Sequence, residues 1–133
     1  MEPFLFTLAW CWLTLGILAG AVVGLRFDRE EWLGGYGSWP RRLMRLGHVA
    51  FFGMGMLALA LSLSSPHIPG FEKWRLWLTI PLAIGMVGMP SICFLSAWRR
   101  AVRHLFFIPV VSLLWAVGFV AVLLVQSWLT GGG

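Results

Sequence analysis

The chain has 133 residues, of which 59% are hydrophobic and only 11% charged, with a mean hydropathy of +0.85. These values exclude an ordinary soluble domain and predict an all-α integral membrane protein, with length for about four spanning helices of roughly twenty residues and no extramembrane domain. The formal charge of +5 does not point to nucleic acid, because the arginines border apolar runs and no separate basic module could carry such binding.

The first apolar run predicts a helix over about residues 4–25. It lacks a basic leader and continues too long for a cleavable signal. Gly16, Gly20 and Gly24 recur at intervals of four, which strips side chains from one stripe and invites close approach of another helix. Gly20→Ile is expected to be the most damaging change in that stripe. Residues 26–38, RFDREEWLGGYGS, break the apolar pattern with mixed charge and glycine. The segment is expected to lie along the membrane interface, with Trp32, Tyr36 and Trp39 at headgroup depth and Asp28, Glu30 and Glu31 paired with Arg26 and Arg29.

A second helix is expected over about 41–64, entered through Pro40 and ended by SSPHIPG, whose prolines and glycine forbid continuation. Arg41, Arg45 and His48 share one of its faces at spacings of four and three, and Gly55 continues that face two turns deeper. Arg41, Arg42 and Arg45 together are read as marking the membrane edge. His67 lies in the following loop and is expected to be solvated.

A third helix is expected over about 76–98, bracketed by Trp77 and Trp98, with Pro90 near its middle bending the axis. Met86, Met89 and Cys93 share a face there. They form a soft donor set of the kind copper(I) accepts, but methionine also fills the irregular space beside a proline bend, and that packing role is expected. Cys11 and Cys93 both fall within apolar runs, so two buried thiols are expected in preference to a disulfide. The basic link RRAVRH then leads into a fourth helix over about 101–128, and the tail TGGG is expected to be functionally silent.

Five arginines stand in or beside the first loop and three in the third, whereas the second loop holds one lysine and one arginine. This bias places the first and third loops inside and both termini outside, in an up-down bundle of four transmembrane helices forming one domain over residues 1–133. Helices two and four then run outward from the same face, which puts His48 and His104 at similar depth. Each has an arginine about one turn earlier, Arg45 and Arg100.

Two histidines at matched depth on adjacent helices are what six-coordinate haem b requires, with nearby arginines for the propionates and Gly47, Gly53 and Gly55 leaving room for the macrocycle. In architecture alone the arrangement is similar to four-helix membrane cytochromes b. The opposing expectation is that both histidines are interfacial. No intramembrane Asp, Glu or Lys and no nucleophile–base pair suggests catalysis, so an enzyme is not expected. The sequence reading is a non-catalytic integral membrane subunit, packed by Gly16, Gly20, Gly24 and Gly55 among other membrane subunits of an electron-transfer assembly, respiratory or photosynthetic, in a bacterial inner membrane. The alternative is a subunit that binds haem b, or another porphyrin, through His48 and His104.

Overall fold

The computed structural model describes residues 1–131, and within them it is entirely helical and turn, with no strand. Four helices, α1 (Pro3–Gly24), α2 (Trp39–Ser64), α3 (Phe71–Trp98) and α4 (Phe107–Leu129), carry the chain, joined by short 3₁₀ turns at Trp32–Gly34, Ser65–His67 and Arg100–Phe106. All four are long and apolar enough to cross a membrane. Of the TGGG tail, Gly132 and Gly133 lie outside the described residues.

Each helix starts where local chemistry releases it. At α1 the Glu2 carboxylate accepts the Leu5 backbone N–H at 2.7 Å, and Pro3 occupies a position whose N–H has no helical partner. At α2 the Ser38 hydroxyl accepts from the Arg41 N–H at 3.3 Å, with Pro40 again in the first turn. This cap starts the helix at Trp39, two residues before the expected Arg41. Helix α3 begins at Phe71 directly after Gly70, whose φ of 64° is left-handed, five residues before the expected start at 76. Pro81 and Pro90 lie inside it.

The largest departure in boundaries concerns α4. Arg99 is extended at φ −125°, residues 100–106 form a 3₁₀ helix, and α-geometry begins only at Phe107. In a 3₁₀ helix it is i and i+3 that eclipse, so Arg100 and His104, four apart, do not share a face as they would on an α-helix.

The helices pack in chain order, α1 on α2, α2 on α3 and α3 on α4, while α1 has no substantial contact with α4 among the described residues. The expected up-down alternation is therefore arranged as an open row and does not close into a four-cornered bundle. Burial has the same form. Helix α1 buries only Leu5, Ala9, Gly16 and Val23, and α4 only Pro109, Ala116 and Leu123, a single stripe each. The inner helices bury residues toward both neighbours, from Leu43 to Ser62 on α2 and from Phe71 to Ser96 on α3.

Glycine sets the close approach at every seam. Between α1 and α2, a Cβ on Gly16 would lie 3.1 Å from Phe51 Cβ, one on Gly20 2.4 Å from His48 Cε1, and one on Gly55 2.8 Å from Leu13 Cδ2. Gly47 receives the Phe94 ring between α2 and α3, and Gly85 and Gly88 receive Leu113 and Pro109 between α3 and α4. Gly24 departs from the expected stripe: at the last residue of α1 it has passed the contact with α2, and a Cβ there meets nothing within 4 Å.

The contiguous apolar core joins Leu5 and Ala9 of α1, Met54, Ala58 and Leu61 of α2, Leu78, Leu82 and Met86 of α3, and Ala116 and Leu123 of α4. Antiparallel packing brings these segments together toward the end of the row that holds Glu2 and Ser62. There the Glu2 N–H donates to the Ser62 carbonyl at 3.2 Å and the Ser62 hydroxyl to the Glu2 carbonyl at 2.7 Å, which ties α1 to α2. Arg75 stands 3.9 Å from both Glu2 and Glu72. On the outer face of α1, the Thr7 and Thr14 hydroxyls donate to carbonyls four residues back in their own helix at 3.0 and 2.9 Å, so neither needs a partner outside. Both thiols are free, as a disulfide-free reading expects, but Cys11 is exposed on that same outer face and only Cys93 is buried.

Candidate functional site

The two ends of the row differ sharply in charge. The end formed by residues 25–38 and 99–106, together with the start of α2, carries eight arginines against Asp28, Glu30 and Glu31, whereas the opposite end carries Lys73 and Arg75 against Glu2 and Glu72. The whole formal charge of +5 thus resides at one end.

Arg41 organises that end. It is only 2% exposed, and its guanidinium donates to the carbonyl of Phe27 at 2.7 Å, of Glu30 at 3.2 Å and of Arg29 at 3.4 Å. The same group lies 4.7 Å from the Phe27 ring centroid, 5.2 Å from Tyr36 and 5.7 Å from Trp32. A planar fork of donors suits carbonyls converging from one plane, and its faces suit aromatic rings; a lysine offers neither. One residue therefore folds the first loop back on the start of α2. Arg45, one turn on, stacks on Tyr36 at 4.6 Å and donates to its carbonyl at 3.4 Å. Leu33 adopts φ 56°, rare for a leucine, and its carbonyl accepts from the Ser38 hydroxyl at 2.7 Å.

This differs from the sequence expectation in two ways. Arg41, Arg42 and Arg45 are not equivalent edge charges: Arg42 is exposed, Arg45 is partly covered by Tyr36, and Arg41 is buried. Among the described residues, Asp28, Glu30 and Glu31 form no ion pair, and the loop is held through its carbonyls and not its carboxylates. The available signal was the juxtaposition of three aromatics in the loop with an arginine directly after a Ser-Trp-Pro helix start.

Because the 27–30 backbone is pinned by Arg41, the side chains of Arg26 and Arg29 are set beside a cleft of about 400 Å³ that they line with Leu25 and Trp32. Both guanidiniums are exposed.

The two histidines are not brought together. His48 lies nine residues past the start of α2, roughly 14 Å along its axis. Its ring is directed at α1, where it abuts Gly20, and stands edge-on to Phe52 at 5.5 Å. Its Nδ1 is buried without a hydrogen-bond partner. His104 is exposed on the 3₁₀ segment before α4, and that segment packs against α3 and α4. Gly47 and Gly55, two of the glycines expected to leave room for a macrocycle, are filled by Phe94 and Leu13, while Gly53 faces open space. Arg45 is engaged with Tyr36, and Arg100 is exposed beyond α3. His48 thus stands on the α1–α2 seam and His104 on the exposed segment before α4.

The methionine face of α3 divides between two environments. Met86 joins the core and Met89 packs against it, while Met89 and Cys93 also border an apolar cavity of about 370 Å³ with Leu46, Ala50, Phe106 and Val110. Among the described residues, no three of His, Cys, Asp and Glu lie close enough to share a metal ion. No protein-family model matches the chain, and no match to it was found among curated proteins or solved structures.

Proposed function

We propose that the chain is a non-catalytic integral membrane subunit that docks other membrane-spanning chains through its two outer helices. The observation that carries this reading is the open row. Helices α1 and α4 each bury a single stripe and leave large apolar side chains outward, among them Phe4, Trp10, Ile17 and Leu18 on α1 and Leu114, Trp115, Val122 and Trp128 on α4. A four-helix chain that closed on itself would cover much of this surface. The electron-transfer host and the haem b alternative draw on the paired histidines, and His48 against Gly20 with His104 exposed lends them no support. Gentle extraction followed by native electrophoresis and mass spectrometry is expected to show the 14.9 kDa chain migrating with other membrane proteins. Recovery as a lone chain at every detergent concentration would overturn the proposal.

The charge asymmetry supports an orientation with the arginine-rich end inside and both termini outside, in a bacterial inner membrane. A reporter active only in the cytoplasm is expected to be silent when fused at the C-terminus and active when inserted near Gly37, in the first loop. The reverse pattern would invert the topology.

A further inference from the structure

We infer that the cleft between Arg26, Arg29 and Trp32 binds the phosphodiester headgroup of one anionic phospholipid. The inference rests on membrane insertion but not on the docking of partner chains. The cleft holds about 400 Å³ and has two kinds of wall. Arg26 and Arg29 supply two guanidiniums, neither within ion-pair distance of Asp28, Glu30 or Glu31, so their charge is not cancelled locally among the described residues. Leu25, 82% exposed at the end of α1, and Trp32 supply the apolar side. Guanidinium forks match phosphate oxygens in pairs, and an amphipathic indole at the membrane edge suits the glycerol and upper acyl region. A cleft lined by two cations and two apolar side chains, at the end of an apolar helix, fits a lipid better than a free anion, which has no use for Leu25.

The site is built and not merely a patch of surface charge. Arg41 holds the carbonyls of Phe27, Arg29 and Glu30, so the backbone between the two arginines is fixed from behind. Trp32 is held in turn, its backbone N–H donating to the Arg29 carbonyl at 3.1 Å and its ring 6.2 Å from the Phe27 ring. Arg99, Arg100 and Arg103 lie at the same end without lining this cleft, which makes them a charge-matched control.

The test is native mass spectrometry of the full chain in detergent, titrated separately with phosphatidylglycerol, phosphatidylcholine and inorganic phosphate. The wild type is expected to retain one phosphatidylglycerol in preference to phosphatidylcholine, and to show no comparable adduct with inorganic phosphate. Arg26→Gln with Arg29→Gln is expected to lower that retention on the order of tenfold relative to Arg99→Gln with Arg103→Gln, because only the first pair removes direct hydrogen bonds to the phosphate. All four side chains are exposed, so both variants should fold, and unchanged melting confirms it. Equal losses in the two variants would reduce the effect to diffuse charge attraction and overturn the site. Equal retention of both lipids, no retained lipid, or binding of inorganic phosphate alone would overturn it as well. A monomeric chain that still retains the lipid would sustain this inference even if the subunit reading failed.

Discussion

Replacing Arg41 by alanine is expected to free the first loop from α2 and to lower stability by on the order of 3 kcal/mol. Three hydrogen bonds from a charged donor are lost together with its contacts to Phe27, Tyr36 and Trp32. The freed carbonyls regain water, so the loss is smaller than the gross strength of three such bonds. Arg41→Lys is expected to recover about half or less, since one ammonium cannot reach carbonyls that a fork spans. The local readout is amide exchange. The N–H groups of Trp32, Gly34 and Ser38 donate to Arg29, Glu31 and Gly35 carbonyls within the loop, and their protection should collapse while that of α3 is retained. Leu33 sharpens the effect, because its left-handed backbone persists only while its surroundings impose it. If those amides exchange at wild-type rates in Arg41→Ala, the loop folds without the guanidinium and the account of this end is wrong.

The sequence displayed the four helices because apolar runs of about twenty residues leave few alternatives once proline and glycine punctuate them. Boundaries shifted where a cap or a turn intervened: Ser38 began α2 at Trp39, and Arg99 turned the basic link into a 3₁₀ segment. The order of packing was less legible. In a soluble helix, polar residues mark the outer face, but on α1 and α4 both faces are apolar, so a helix buried on one side reads like one buried on two. Glycine was the remaining signal. Gly16 and Gly20 lie in the α1–α2 contact and Gly24 lies beyond it, while Gly85 and Gly88, inside the run GMVGMP, lie in the α3–α4 contact, where the neighbouring methionines are the more conspicuous feature of the sequence. Arg41 could not be told from Arg42 or Arg45, because which arginine turns inward depends on helix phase and on a loop fold that the arginine itself creates. The matched depth of His48 and His104 requires the fourth helix to be α-helical from residue 101, and residues 100–106 are 3₁₀ instead.

The second large effect is expected at Gly20, where α1 depends on a single partner. Helix α1 packs on α2 and on little else, so a side chain that separates the two has no other seam to share the loss. A Cβ on Gly20 falls 2.4 Å from His48 Cε1 and 2.9 Å from Nε2, closer than real atoms approach. Gly20→Ala forces the imidazole to turn, which a ring at the far end of a side chain can partly do, and should cost about 1 kcal/mol. Gly20→Ile adds branches that the ring cannot clear and should cost about 3 kcal/mol, at the upper end of ordinary overpacking. Gly24→Ile, four residues on and open within 4 Å, should melt close to the wild type. Thermal unfolding in detergent separates the three. Identical melting of Gly20→Ile and Gly24→Ile would mean that α1 does not approach α2 through this stripe. The pair can also be tested as a cycle, because removing the imidazole removes the obstacle. Gly20→Ala should be costly with His48 present and nearly neutral in a His48→Ala background, a coupling of about 1 kcal/mol that distant residues would not show. Additive effects would place the imidazole away from Gly20, and with it would fall the assignment of His48 to the α1–α2 seam.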